Sequence, residues 1–115
     1  MDRPGRRNTV KRKRPIRYIL SGHTPVPATL LEWMTWFGEA DTSVALTEIA
    51  PGHSVTTEFI GDGYNMFETA ILTDTALVGE RCNVAARYQT WADAERGHDE
   101  VVRACSEQYR IAIRS

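Results

Sequence analysis

Residues 44–60, VALTEIA-PG-HSVTTEFI, decide the fold, because two short runs of alternating side chains meet at Pro51-Gly52. Proline presets φ for the first central position of a type II turn, and glycine accepts the positive φ of the second. Val44 to Ala50 and Ser54 to Ile60 are therefore expected to pair as a hairpin. In the second run Val55, Thr57 and Phe59 share one face, with Thr56, Glu58 and Ile60 on the other.

Downstream, Gly61-Asp62-Gly63 links to a third run, Asn65 to Leu72, closed by Thr73-Asp74-Thr75. No helix follows that glycine pair, so it reads as a turn and not as a phosphate cradle. Glu80 to Tyr88 is a fourth run, in which Cys82, Val84, Ala86 and Tyr88 are expected to alternate inward. Thr90 then suits a helix cap, with Asp93 three residues on. Trp91, Ala94, His98, Val101, Val102 and Cys105 trace a helical stripe behind it.

Upstream, Ile16 to Leu20 reads as a first strand ended by Ser21-Gly22. Thr24-Pro25-Val26-Pro27 reads as a helix entry, with Pro27 in the first turn where its missing N–H costs nothing. Leu30, Trp33, Met34 and Phe37 recur at i, i+3, i+4 and i+7, and Gly38 is the expected stop. The order β-α-β-β-β-β-α predicts an α+β fold: an antiparallel sheet of four to five strands with two helices packed on one face.

The 115 residues leave room for one domain and a tail. With 42% hydrophobic and 25% charged residues, wholesale disorder is excluded. No apolar run approaches the roughly 20 residues that span a bilayer, and the first residues are too basic for a secretory signal. Cys82 and Cys105 are too few and too far apart for a paired metal knuckle, and in a reducing compartment they are expected as free, partly buried thiols.

The net charge of -1 conceals a segregation. Residues 1–17 hold eight cations, Arg3, Arg6, Arg7, Lys11, Arg12, Lys13, Arg14 and Arg17, against Asp2, for +7. Residues 18–115 hold six arginines against fourteen acids, for -8, and the two values return -1. Residues 1–15 lack periodicity and offer only Val10 as an aliphatic side chain, so they are expected to form a flexible basic arm ahead of one domain over 16–115. The eight cations suit a polyanion, and nucleic acid is the first candidate. With no aromatic before Tyr18, base stacking is not expected. A tail lying on an acidic protein surface, its own or a neighbour's, and a merely solvated tail are the competing readings.

His98, in the middle of the last stripe, is either a general base facing a pocket or a half-buried histidine with one hydrogen bond to backbone or a strand carboxylate. Glu58 and Glu68, on successive strands, either join His98 as acid–base partners in a pocket or mark the wet face of a sheet. His23 and His53 fall in predicted turns. No metal site, cofactor or catalytic motif is expected from these residues, and the reading leans away from an enzyme.

Several segments, taken in order, resemble a small family encoded by tailed bacteriophages and prophages. They are Tyr18-Ile19-Leu20, Gly22 through Pro27, Leu31-Glu32-Trp33 with Trp36-Phe37, Val44-Ala45 with Thr47-Glu48-Ile49, Val55 with Thr57 and Phe59-Ile60-Gly61, Phe67-Glu68-Thr69, and Thr90-Trp91 running to Gly97-His98. The resemblance covers residues 18–105 and leaves out the basic arm. Where relatives carry a longer loop with an Asp-His pair, this chain has Asp62-Gly63-Tyr64-Asn65. It implies a phage origin and action in the cytoplasm of the host bacterium, and supplies no chemistry. The expectation is a non-enzymatic phage accessory protein whose acidic body recognises a partner while the arm engages nucleic acid or a protein–nucleic-acid assembly. Two alternatives stand beside it. One is a counter-defence factor that inhibits a host immune protein or sequesters a nucleotide signal, and the other is a structural component of the virion.

Overall fold

A computed structural model describes residues 17–114 of the chain, so the basic arm expected over 1–15 lies outside the described residues. Eight elements follow in order: β1 (Arg17–Ser21), β2 (Thr24–Ala28), α1 (Leu30–Glu39), β3 (Ser43–Ala50), β4 (His53–Phe59), β5 (Phe67–Thr75), β6 (Gly79–Tyr88) and α2 (Trp91–Arg114). Strands β3-β4-β5-β6 form one antiparallel meander, and β1-β2 form a separate two-stranded sheet. The α+β architecture is as expected, with one strand more than the sequence reading placed.

That strand is β2. Thr24-Pro25-Val26-Pro27 does not open a helix; it pairs with β1, Pro25 opposite Leu20 and Pro27 opposite Tyr18. A strand with only one neighbour tolerates proline where its nitrogen points away from the partner, and two prolines spaced by two point the same way. The helix begins only at Leu30, capped by Thr29. Thr29 Oγ1 accepts from the Glu32 N–H at 3.1 Å and Glu32 Oε1 accepts from the Thr29 N–H at 2.8 Å, a complete capping box. The expected cap at Thr90 is in place, accepting from the Asp93 N–H at 3.1 Å.

Helix α2 covers the face of the meander that carries Val55, Thr57 and Phe59, while α1 packs on the β1–β2 hairpin and reaches that face through Trp36 and Phe37, which meet Phe59. Phe59, Met66, Phe67 and Ala94 form the buried centre, ringed by Tyr18, Leu20, Trp36, Phe37, Val44, Tyr88 and Trp91. Phe59 stacks on Phe37 of α1 at 5.9 Å and meets Phe67 edge-on at 5.2 Å, and Phe67 in turn meets Trp91 of α2. Two glycines set close approaches. Gly61, at φ 64°, lies against the Tyr18 carbonyl and accepts the Tyr18 N–H at 2.9 Å, which ties the small sheet to the end of β4. Gly97, mid-helix in α2, leaves the space that the Tyr88 ring fills, and a Cβ there would overlap the ring.

The β5–β6 ladder corrects two expectations. The hairpin extends through Thr75, paired with Gly79, and does not close at Thr73. A register shift between Thr69 and Ala70 places Ala86 opposite Thr69 but Val84 opposite Ala70. One extra residue in β6 flips its alternation, because side chains follow a period of two. Ala86 and Tyr88 thus point toward the helices, whereas Val84 and Cys82 point to the opposite face. Cys82 is an exposed free thiol; Cys105, free in α2, is partly buried.

Candidate functional site

Three places in the fold hold the residues that could do chemistry or binding. The first lies beneath α2. His98 is 2% exposed and bridges two strands: Nδ1 lies 2.8 Å from Thr57 Oγ1 in β4, and Nε2 lies 2.9 Å from Thr47 Oγ1 in β3. Thr57 Oγ1 continues to Thr69 Oγ1 in β5 at 2.5 Å. The partners are threonine hydroxyls, in place of the backbone group or carboxylate expected. Each hydroxyl donates once and accepts, so a neutral imidazole in either tautomer completes the chain of bonds. Burial pushes the His98 pKa below the ordinary histidine value, with the charge of Asp99 opposing in part. The residue is held neutral and enclosed, a locking group between helix and sheet.

Glu58 and Glu68 do not share a pocket with it. They are directly opposed across β4 and β5, one residue along from the Thr57–Thr69 pair. Since Thr57 and Thr69 face His98, the pleat sends both carboxylates to the other side of the sheet. Glu68 there accepts from Arg87 Nε at 3.1 Å, its cross-strand neighbour in β6. The acid–base pairing of His98 with Glu68 or Glu58 is thereby removed, and the wet-face reading of the two glutamates holds.

That wet face is the second place. Among the described residues no helix covers it, and the register puts Glu48, Glu58, Glu68, Asp74 and Glu80 on it, around Leu46, Thr56, Ala70, Leu72 and Val84. A groove of about 690 Å³ runs between Glu48, Ser54, Leu72, Asp74, Glu80 and Cys82. Leu46 is 67% and Val84 47% exposed. The bulge in β6 is what turns Val84 and Cys82 toward this face, and no residue of the sequence announced it.

The third place is the root of the arm. Of its eight cations only Arg17 belongs to the described residues; Arg3, Arg6, Arg7, Lys11, Arg12, Lys13 and Arg14 lie outside them. The Arg17 guanidinium sits 4.6 Å from the centre of the Trp33 ring, a cation–π contact that holds β1 to α1. The hairpin tip is fastened separately, His23 stacking on Trp91 at 3.6 Å with the planes 2° apart. His53 opens β4 just past the Pro51-Gly52 turn.

Among the described residues no three of His, Cys, Asp and Glu converge as a metal-binding group, and no helix is long and apolar enough to cross a membrane. A smaller recess of about 290 Å³ lies between the sheet and the second half of α2, bordered by His53, Ile71, Cys105 and Tyr109. No family model, curated protein or solved structure matches the chain.

Proposed function

We propose that the chain is a non-enzymatic phage accessory protein acting in the host bacterial cytoplasm, in which the basic segment engages a polyanion, foremost nucleic acid, and the acidic body recognises or orients the assembly. One observation carries this reading: +7 over residues 1–17 against -8 over residues 18–115. The fold supports it by how it disposes the body's charge. Arg87, Arg96 and Arg110 are each paired with a carboxylate, Glu68, Asp93 and Glu107 respectively. A body that repels phosphate leaves the segment as the contact, which makes binding electrostatic, strongly salt-dependent and indifferent to sequence.

The test is fluorescence anisotropy with labelled duplex DNA, single-stranded DNA and RNA at 50 and 200 mM salt. The full chain is compared with a variant carrying glutamine at the seven cationic positions from Arg3 to Arg14. Binding that weakens steeply with salt and disappears in the variant supports the reading. Absent or salt-indifferent binding, or binding equal in the two proteins, removes it.

The counter-defence reading draws on a different observation. Leu30, Leu31 and Met34 are 56%, 74% and 57% exposed on α1, an apolar row of the kind that protein partners cover. Its test is loss of inhibition of a host immune protein in a Leu31→Asp, Met34→Glu variant whose nucleic-acid affinity is unchanged.

A further inference from the structure

We propose that the uncovered face of the β3–β6 sheet is the docking surface for the basic segment of the same chain, residues 1–16. Three features select that occupant. The first is charge. Among the described residues the face carries five carboxylates and one facing guanidinium, Arg87, which is already spent on Glu68. Arg81 borders the groove but turns its Nε to the Val78 carbonyl. Glu48, Glu58, Asp74 and Glu80 thus present negative charge with no bonded cation among the described residues. The acids of α2 are arranged differently. Asp93 and Glu107 pair with Arg96 and Arg110 within the helix, and Arg103 lies between them, so its surface is mixed in sign.

The second feature is reach. Sixteen residues extend to about 53–58 Å, and a nine-residue strand such as β5 is about 31 Å long. The segment leaves from Arg17, and the neighbouring Tyr18 is bonded to Gly61, two residues past the end of β4. Glu58 sits at that end of the uncovered face. The segment need only round the sheet end, a distance on the order of the roughly 10 Å between packed layers, to lie along the groove.

The third is tethering. A segment joined to the body through so short a connection meets this face at an effective concentration on the order of millimolar. Individually weak, solvent-exposed ion pairs then suffice in number, and they fade as salt screens them. Docking goes beyond the polyanion reading and does not need it: the carboxylate face and a nucleic acid would compete for the same seven cations.

The chain's lysines make the test direct, because Lys11 and Lys13 are the only two in the sequence. A carbodiimide activates carboxylates and joins them to amines in contact, without a spacer. The full chain is treated at 20 mM and at 500 mM salt, without nucleic acid, and the amide cross-links are mapped by mass spectrometry. Expected are intramolecular links from Lys11 or Lys13 to Glu48, Glu58, Asp74 or Glu80, falling at least fivefold at high salt. Links chiefly to Glu32 or Glu39 of α1, to Glu95, Asp99, Glu100 or Glu107 of α2, or only between chains, overturn the proposal. So does an absence of links while free amines added to the same sample couple normally. Because no polyanion is present, this outcome is separate from success or failure of the nucleic-acid titration.

Discussion

Replacing Thr57 by valine keeps the shape of the side chain and deletes the one hydroxyl that joins His98 to Thr69. Thr57 is 0% exposed, so water does not replace the lost group. Two partners are stranded, His98 Nδ1 and Thr69 Oγ1, each bonded to Thr57 in the native fold. A buried polar group without a partner costs about 1–3 kcal/mol. The Thr69 hydroxyl can rotate toward another acceptor, so the two costs do not add in full and about 2–4 kcal/mol is expected. With a urea m-value of about 2 kcal/mol/M, suited to a domain of this size, the unfolding midpoint falls by about 1–2 M at unchanged slope. Tryptophan fluorescence reads the transition, since Trp36 and Trp91 pack against the core and Trp33 packs on Phe37. Adding Thr69→Val to Thr57→Val removes a group already unpaired, so the double variant should be about 1 kcal/mol more stable than the sum of the singles predicts. A Thr57→Val protein within about 0.5 kcal/mol of the parent, or strictly additive singles, would refute the view that this network locks α2 to the sheet.

Two further outcomes follow from the same packing. Gly97→Ala should destabilise the fold by about 1–3 kcal/mol through overlap with Tyr88, although alanine is the better helix former by about 1 kcal/mol; in a Tyr88→Ala background, where the overlap is gone, the same change should stabilise, and chemical denaturation of the four proteins checks the reversal. Stability should also fall on acidification. The folded state holds His98 below its ordinary pKa, so below about pH 6.5 the unfolded chain binds the proton first and the contribution is lost as the pH drops toward the folded value. The urea midpoint at pH 7.5 should therefore exceed that at pH 5.5 by more in the parent than in His98→Gln, and an equal drop in both would show that His98 does not carry the dependence.

The meander was legible because its signals are local. Alternation across residues 44–60 and the Pro51-Gly52 turn specify a hairpin before any tertiary contact is known. The face assignment of β4 was legible too, and it already separated Glu58 from the helix-covered side once Thr57 was placed inward. What misled was proline. Thr24 to Pro27 looked like a helix entry, while the decisive cue lay two residues further on, in the Thr29–Glu32 capping box. The inward face assigned to Cys82 and Val84 failed because one bulged residue in β6 reverses the alternation, and bulges arise from pairing with a partner strand that a single run does not display. The threonine network was hidden for another reason. Thr47, Thr57 and Thr69 read as ordinary strand formers, and only their convergence on a stripe histidine, through three strands and a helix, gives them a role.

Polyanion binding of this kind requires positive charge confined to a segment that the acidic body cannot substitute. The most direct measurement is the slope of log K against log salt for the full chain on a short DNA duplex. Seven cations between Arg3 and Arg14 allow a slope as steep as about -6, and glutamine at Lys11, Arg12, Lys13 and Arg14 should flatten it by about 3 to 4. A slope near zero, or one that the four substitutions leave untouched, would contradict it.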